Sequence, residues 1–361
     1  MELTDCFGSP TERGQSHGES LRERIADALV VWEHATIAGL GARAPRNIDA
    51  YCDRFLNSTA LIQRVQTETP DLYAELIGIA AGSGQPLPRI AAYNLMDEQW
   101  WYDAAPDAPP PGCSLIAAPV DGGHVLAQNM DLPLFMEGSQ VALRLGGPDI
   151  PETIVLSAAG LIGLTGANAA GLAIGVNTLL MLHHATDGLP VAFAMRHALG
   201  ASNRAEASAR LRKVGHASGQ HYALVTQDGI SSFECSANSC ATVPARKDGT
   251  LLHTNHPLVS KDIDAAALAR LDRAGFTESS ITRLDWLTSH PRAINSAADV
   301  QALFDDRDAP ICMRAAAKGR SSTFASVLYE MTELPGIRMR QGVEDGASWH
   351  ALTFSQKSIT N

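Results

Sequence analysis

Apolar residues in the first hundred positions recur at intervals of three and four, the spacing that places them on one face of an amphipathic helix. Pro70 suits the first turn of one such helix, and Gly82 suits its C-terminal cap. The pattern therefore predicts a mainly helical segment up to about residue 100. The predicted helices cover residues 21–29, 60–67, 70–82 and 89–100.

Beyond residue 112 the pattern changes to short apolar runs separated by Gly, Pro and Asn, which is typical of β-strands. Two of these runs flank Asp121-Gly122-Gly123 and predict a β-hairpin, and Asp228-Gly229 predicts another hairpin turn. Strands, then helices, then strands predict an α+β fold in which helices cover antiparallel sheets. The helices predicted here cover residues 190–214 (with a break near Gly200), 265–274, 278–289 and 297–304.

A proline-rich connection, residues 102–112, separates the helical half from the strand-rich half. Proline neither continues a helix nor pairs within an interior strand, so this connection predicts an exposed, stiff linker. We place the boundary there, with residues 1–112 on one side and 113–361 on the other. Cys113 then stands at the start of the first hairpin, directly after the linker. This placement suggests a chain that cuts itself before Cys113.

Such a cut would give Cys113 a thiol and a free α-amine on the same carbon. The thiolate is the attacking form of cysteine. An α-amine titrates at about 7.7–8.0, so near neutral pH it accepts the proton of the thiol and no separate histidine is needed. The alternative is that Cys113 is a small buried apolar residue, the usual environment of a free cysteine.

Composition narrows the function classes. The chain has 361 residues and a net charge of -11, which argues against a nucleic-acid backbone or an anionic membrane surface as its main partner. Six cysteines without a framework spacing indicate reduced thiols in a cytosol, and the first residues lack the pattern of a signal peptide. The apolar stretch over residues 155–182 is interrupted by polar residues, so we expect buried strands there and not a membrane span. Together these features predict a cytoplasmic protein.

Several segments of the chain together resemble a known family. They are Gly112-Cys113, Gln128-Asn129-Met130-Asp131, residues 8–14 with Gly18, residues 73–82 with Asn94 and Glu98, residues 166–172, and residues 254–258. In order and spacing they are similar to the acyl-coenzyme A:6-aminopenicillanic acid acyltransferase family, also classed as peptidase family C45, within the N-terminal nucleophile hydrolases. The resemblance implies a four-layer αββα fold with a helical N-terminal pro-segment. It also implies self-cleavage before the cysteine into α and β chains that remain associated.

The resemblance also assigns roles to individual residues. It implies cleavage between Gly112 and Cys113, and it makes Cys113 the nucleophile of both cleavage and catalysis. Asp131 would hold the new α-amine by a charge-assisted hydrogen bond. Asn255 would donate to the tetrahedral oxyanion, and Asn177 would contribute a backbone N–H to it.

Ordinary structural roles stay open for these polar residues. Asp131 also suits a turn cap before Pro133, and Asn255 suits a turn within residues 253–257. Asn177 has the position of an asparagine at a strand end, which is common in any fold.

An arginine near the nucleophile is also implied by the resemblance. Arg314 matches it best, and Arg320 competes because the loop between them allows another register. A cation there would favour the thiolate and orient an acidic substrate. Gln128 occupies a position where the bile-salt branch of these hydrolases has arginine, which makes bile-salt hydrolysis a poor candidate.

We expect neither a metal nor a cofactor. His183-His184 are adjacent, so both imidazoles cannot readily face one ion, and His253 with His256 lacks a complementary Cys or carboxylate set. Cys235 and Cys240 have no matching second pair for a zinc site.

These observations predict a self-cleaving cysteine amidohydrolase that acts on the amide of a small N-acyl amine or amino-acid conjugate through a thioester acyl-enzyme. The first alternative is an N-acyltransferase with an acyl-CoA donor. The second is an uncut, non-catalytic binding or scaffold protein, and the third is a peptidase acting in trans.

Overall fold

The N-terminal part of the protein is a strand followed by a series of helices. The computed structural model describes residues 1–103, 112–289, 294–306, 308–314, 321–344 and 346–355. The linker at 104–111 and Arg320 thus lie outside the described residues. The first elements are β1 (Leu3–Phe7), α1 (Pro10–Ser20), α2 (Arg22–Leu40), α3 (Ile48–Asn57), α4 (Leu61–Glu68), α5 (Pro70–Ser83), α6 (Leu87–Asn94) and α7 (Met96–Asp103).

The remainder of the chain alternates strands with two groups of helices. The strands are β2 (Gly112–Val120), β3 (Gly123–Pro133), β4 (Gln140–Gly147), β5 (Ile150–Ala158), β6 (Thr165–Asn168), β7 (Leu172–Thr178), β8 (Gln220–Thr226), β9 (Gly229–Cys235), β10 (Cys240–Thr242), β11 (Leu251–His253), β12 (Ser321–Met331), β13 (Gly336–Gln341) and β14 (His350–Leu352). The helices are α8 (Val191–Leu199), α9 (Arg204–Lys213), α10 (Ala265–Arg273), α11 (Phe276–Ser289) and α12 (Ala297–Phe304).

Two sheets form the centre of the fold. One has eight strands in the order β1-β4-β5-β6-β7-β8-β9-β10, and the other has six in the order β11-β2-β3-β12-β13-β14. Strands β2 and β3 pack against β7 and β8, so the sheets lie face to face. Helices α8 and α9 contact the larger sheet, whereas α11 and α12 contact the smaller one. This architecture confirms the α+β class predicted from the sequence.

The N-terminal segment is built into the larger sheet. Strand β1 pairs in parallel with β4, with Leu3 opposite Ala142 and Phe7 opposite Gly146. A buried ion pair adds a second connection, because Arg196 of α8 donates to both carboxylate oxygens of Glu75 in α5 at 2.9 and 3.0 Å. Residues before the linker and residues after it therefore share one core.

Helices α1 and α5 approach each other closely enough for backbone contact. Four glycines make this possible: Gly14 and Gly18 on α1, and Gly78 and Gly82 on α5. A Cβ atom added at Gly78 would lie 2.2 Å from the carbonyl oxygen of Thr11, and the other three glycines face similar backbone contacts. The spacing of these glycines thus sets the distance between the two helices.

Most predicted elements are confirmed, including the hairpin of β2 and β3 and the break between α8 and α9. Two predictions for the helical segment are wrong. The cap of α5 is Gly84, whose φ is 71°, because Gly82 is still helical and packs against α1. The single helix predicted over residues 89–100 is two helices, α6 and α7, which break at Leu95.

The expectation that all cysteines are reduced thiols needs a correction. Cys235 and Cys240 lie directly opposite each other where β9 pairs with β10, and they form a disulfide. The sequence pattern missed this pair because the short turn that brings the two strands together is not visible from cysteine spacing alone. Among the described residues, no helix is long and apolar enough to span a membrane.

Replacing Gly78 with alanine should weaken the fold. The added methyl group collides with the α1 backbone, and we expect the free energy of unfolding to fall by at least about 2 kcal/mol. Gly39 in α2 is the matched control, because a Cβ there meets nothing within 4 Å. Gly39→Ala should be neutral or stabilise by up to about 1 kcal/mol through helix propensity. Urea unfolding measures both variants, and equal stability of the two would contradict close packing of α1 on α5.

Candidate active site

Cys113 lies at the start of β2 in the smaller sheet, opposite Met130 of β3. Its side chain is buried, and its backbone is bound on both sides. The N–H of Cys113 donates to Oδ1 of Asn255 at 2.6 Å, and its carbonyl oxygen accepts from Nη1 of Arg283 at 2.6 Å. Asn255 therefore binds the N–H of the Gly112–Cys113 peptide unit, and Arg283 binds the carbonyl of the peptide unit that follows it.

Asp131 lies beside that same peptide bond, because β3 places it opposite Gly112. The carboxylate is fully buried, and its Oδ1 accepts from the Thr323 hydroxyl at 2.6 Å. Its Oδ2 has no hydrogen-bond partner among the described residues. A Cβ atom at Gly112 would lie 3.3 Å from this Oδ2 and 3.1 Å from Nη2 of Arg283. An unpartnered carboxylate oxygen therefore faces the Gly112–Cys113 backbone, in a space that favours glycine.

Asn255 follows β11 and is also fully buried. Its Oδ1 accepts from both Cys113 N and Arg283 Nη2, the latter at 3.0 Å, and its Nδ2 donates to the carbonyl oxygen of Thr178 at 3.0 Å. Two donors at Oδ1 fix the orientation of the amide. The second hydrogen on Nδ2 remains for another acceptor.

The loop that carries Asn255 is held by a buried carboxylate. Glu234 of β9 accepts from the backbone N–H groups of residues 258–260, at 2.6, 3.0 and 2.6 Å. It also contacts Nε2 of His253, the residue at the end of β11, at 2.9 Å. Glu234 thus binds the chain on both sides of Asn255.

Asn177 lies near the end of β7, and its side chain points into a different network. Its Oδ1 contacts Nδ1 of His221 at 2.8 Å, and the His221 ring stacks on His253 with centroids 3.7 Å apart. The residues on either side of Asn177 are the ones that line the cavity beside Cys113. The structure thus brings Cys113, Asp131 and Asn255 together and places Asn177 at the margin of the group.

Burial controls the protonation of this site. It raises the pKa of the Cys113 thiol to about 12, with the nearby Asp131 carboxylate raising it further and Arg283 opposing the shift. Burial also raises the pKa of Asp131, to about 6, against the lowering effects of Arg283 and Thr323. In the uncut chain, Cys113 is therefore a protonated thiol at neutral pH.

The arginine beside Cys113 is Arg283, which the sequence analysis did not identify. It comes from α11, is buried, and influences the pKa of both Cys113 and Asp131. Arg314 instead has an exposed side chain, and its competitor Arg320 lies outside the described residues. The only sequence signal for Arg283 was its place in a predicted helix, where an arginine is normally assigned to the solvent face.

Gln128 of β3 binds the edge of β7 beside the nucleophile. Its Oε1 accepts from the N–H of Val176 at 3.2 Å, and its Nε2 donates to the carbonyl oxygen of the same residue. The side-chain amide of Gln128 thus makes the same pair of hydrogen bonds with Val176 that the backbone of a neighbouring strand would make. This geometry explains why a neutral amide fits at this position.

A cavity of about 70 Å³ opens beside Cys113 between α6, α7, α8 and the strand ends. Its walls are mostly apolar, and Asp97 is the only charged side chain among the described residues that line it. Methionines are flexible, so walls made from them adapt to different ligands. The lining methionines are Met96, Met130, Met136 and Met195.

No group of three or more His, Cys, Asp or Glu in the described part of the chain is placed to hold a metal ion.

Comparisons with known proteins agree on one family. A family model described as acyl-coenzyme A:6-aminopenicillanic acid acyl-transferase matches residues 121–335, more than half of the chain. The chain is 28% identical over 265 residues to the acyl-coenzyme A:6-aminopenicillanic-acid-acyltransferase 40 kDa form of Emericella nidulans, covering 73% of this chain and 71% of that protein.

Solved structures give looser similarities. The penicillin V acylase from Agrobacterium tumefaciens is 15% identical with a TM-score of 0.43, covering 66% of this chain and 86% of that one. A variant of the conjugated bile acid hydrolase from Clostridium perfringens is 11% identical with a TM-score of 0.43, covering 69% of this chain and 99% of that one.

The raised pKa of Asp131 predicts a pH-dependent effect on stability. Because the folded pKa of about 6 lies above the unfolded value of about 3.9, the protonated form is favoured by folding, and this stabilisation is lost as pH rises through about 6. Asp131→Asn, made in a Cys113→Ala background, should therefore gain melting temperature relative to its parent between about pH 4.5 and 7.5.

Asp49→Asn is the control for this measurement. Its hydrogen bond to Arg89 lowers the pKa of Asp49, so the melting-temperature difference from the parent should stay flat over that pH range. A flat difference for Asp131→Asn as well would show that Asp131 has an ordinary pKa.

Proposed function

The chain belongs to the acyl-coenzyme A:6-aminopenicillanic acid acyl-transferase family, and from this membership we propose a self-activating cysteine amidohydrolase with Cys113 as its N-terminal nucleophile. The family consists of enzymes that act on amide bonds. The observation that carries the proposal is the unpartnered, buried Oδ2 of Asp131 beside the Gly112–Cys113 backbone. A carboxylate oxygen in that position is suited to receive the α-ammonium group that cleavage would create.

The fold we assign is the four-layer αββα arrangement of the N-terminal nucleophile hydrolases. Two stacked sheets with helices packed on each support this assignment. Residues 1–112 would form the α chain and residues 113–361 the β chain. The two chains would stay associated after cleavage, because β1 is paired within the larger sheet and Glu75 is bound to Arg196.

Self-cleavage begins with attack of the Cys113 sulfur on the carbonyl carbon of Gly112. The C–S bond forms, the C–N bond breaks, and the nitrogen of Cys113 takes a proton to become the free amine. Water then hydrolyses the thioester, releasing the Gly112 carboxylate and restoring the thiol. The hydrogen bond from Cys113 N–H to Asn255 fixes the scissile peptide for this attack, and the contact of Arg283 with the Cys113 carbonyl fixes the peptide unit that follows it.

The cleaved enzyme uses the same thiol on a substrate amide. The α-amine of Cys113 accepts the thiol proton, the thiolate attacks the acyl carbon, and the amine transfers the proton to the leaving nitrogen. Asn255 offers the remaining hydrogen of Nδ2 to the oxyanion, and Arg283 holds the amide of Asn255 in that orientation. Water then hydrolyses the acyl-enzyme.

The acyl group fits the cavity beside Cys113. Apolar walls suit a hydrocarbon chain, and Met130 and Met136 adapt to its shape. We therefore assign hydrolysis of small N-acyl amines or amino-acid conjugates. An acyl-CoA donor with an amine acceptor is the second candidate, and the name of the Emericella relative favours it.

The proposed cleavage is tested by the intact mass of the purified protein beside a Cys113→Ala variant. The wild-type protein should yield two fragments under denaturing conditions, with the larger beginning at Cys113, while the variant should remain a single chain of 38.3 kDa. A single wild-type chain that stays intact for days would contradict the proposal and favour the scaffold alternative.

The two candidate arginines are distinguished by a matched pair of variants. Arg283→Met removes the cation that binds Asn255 and the Cys113 carbonyl, so self-cleavage should slow by about a hundredfold. Arg314→Met removes an exposed side chain, and cleavage should change by less than about twofold. Quantification of the uncut chain over time gives both rates. The reverse result would restore Arg314 as the site arginine.

A further inference from the structure

Asp97 stands out among the residues that line the cavity beside Cys113. The surrounding wall is apolar, and Asp97 is the only charged side chain in the described lining. A polar group placed among apolar walls usually fixes the orientation of a ligand. Asp97 belongs to α7, which precedes the predicted cleavage point, so it would be supplied by the α chain.

Two hydrogen bonds fix the Asp97 carboxylate. Oδ1 accepts from Nε2 of Gln220 at 2.8 Å, and Oδ2 accepts from the Thr178 hydroxyl at 2.8 Å. The Thr178 carbonyl oxygen in turn accepts from Asn255, which binds Cys113 N. A short chain of hydrogen bonds thus holds Asp97 at a defined position relative to the nucleophile. A carboxylate oxygen can accept more than one hydrogen bond, and each Asp97 oxygen accepts one here, so Asp97 keeps acceptor capacity for a ligand.

Within the described part of the chain, no ion pair is formed by the Asp97 carboxylate. The neighbouring Glu98 is fully buried, accepts from Val191 N and the Ser218 hydroxyl, and has an Oε2 without a hydrogen-bond partner among the described residues. Burial raises the pKa of Asp97 to about 6, and burial together with the neighbouring Asp97 raises that of Glu98 to about 8; no described cationic side chain is among the main causes of either shift. Glu98 is therefore a neutral acid at pH 7, whereas Asp97, which is half-buried, ionises near neutral pH and gains from a cation that arrives with the ligand.

We propose that Asp97 binds an ammonium group of the substrate, separated from the scissile amide by an apolar spacer. The proposal rests on the function assigned above, because it places the scissile carbonyl at Cys113. The apolar walls contact the spacer, and the ammonium group donates hydrogen bonds to Asp97. The substrate class is therefore an N-acyl amide with a basic amine at one end.

Paired substrates decide whether the ammonium lies on the acyl or the amine side. The acyl pair is pentanoyl p-nitroanilide and 5-aminopentanoyl p-nitroanilide. The amine pair is N-hexanoyl-propylamine and N-hexanoyl-ethylenediamine. For one of these pairs, the cleaved wild-type enzyme should show kcat/KM about tenfold to a hundredfold higher for the member with the ammonium group.

Asp97→Asn tests the residue itself. The asparagine is nearly isosteric, its Oδ1 accepts from Gln220, and its Nδ2 donates to the Thr178 hydroxyl, so the local contacts are retained with the charge removed. The preference for the ammonium substrate should disappear, so that kcat/KM for the charged and the neutral partner agrees within about threefold. Asp103→Asn is the matched control: it lies on the same helix, bonds to Tyr51 outside the cavity, and should keep the preference.

The outcomes separate this inference from the proposed function. A wild-type enzyme that is cleaved and hydrolyses amides without preferring either ammonium substrate overturns the role of Asp97 alone. Equal losses on charged and neutral substrates in Asp97→Asn also overturn it.

If the chain is cleaved but no test amide is hydrolysed, protection of Cys113 from iodoacetamide is measured with pentylammonium and with pentan-1-ol. Stronger protection by the cation supports the inference, and equal protection overturns it. A wild-type chain that is never cleaved contradicts the proposed function instead.

Discussion

The hydrogen bond between Cys113 N–H and Asn255 Oδ1 joins the two segments on which the site depends. Asn255 is oriented by Arg283, and its loop is bound by Glu234. Loss of either contact would shift Asn255 and, through its hydrogen bond, the backbone of Cys113. The arrangement is buried, which makes each polar contact stronger than in water and makes an unmatched partner expensive. Loss of Arg283, or of the match between Asp131 and a cationic partner, is therefore expected to disturb the site more than loss of an exposed contact would.

The N-terminal segment is an integral part of the folded protein. It contributes a strand to the larger sheet, a buried carboxylate to the Glu75–Arg196 ion pair, and α7 to the wall of the cavity. Close packing of α1 on α5 keeps this helical layer in place. Cleavage of the proposed bond would leave all these contacts intact, since none of them crosses the Gly112–Cys113 peptide.

Sequence patterns were sufficient for the parts of this protein that depend on local chemistry. Two apolar runs around Asp121-Gly122-Gly123 predicted the hairpin that presents Cys113. The family resemblance, and not a local pattern, implied that Asp131 lies near it. Arg283 was missed because its burial depends on the packing of α11 against β2, which no local pattern records. The cap at Gly84 was misplaced for a related reason, since the role of Gly82 is set by contact with α1.

The central claim is that Cys113 carries a thiol and a free amine on one carbon, and labelling tests it directly. Cyanobenzothiazole reagents condense only with a cysteine that has a free α-amine. Applied to denatured wild-type protein, such a reagent should label the larger fragment once, on the peptide that begins at Cys113, and should leave the Cys113→Ala protein unlabelled. Absence of label from catalytically active protein would show that the nucleophile works without a free α-amine and would contradict this account.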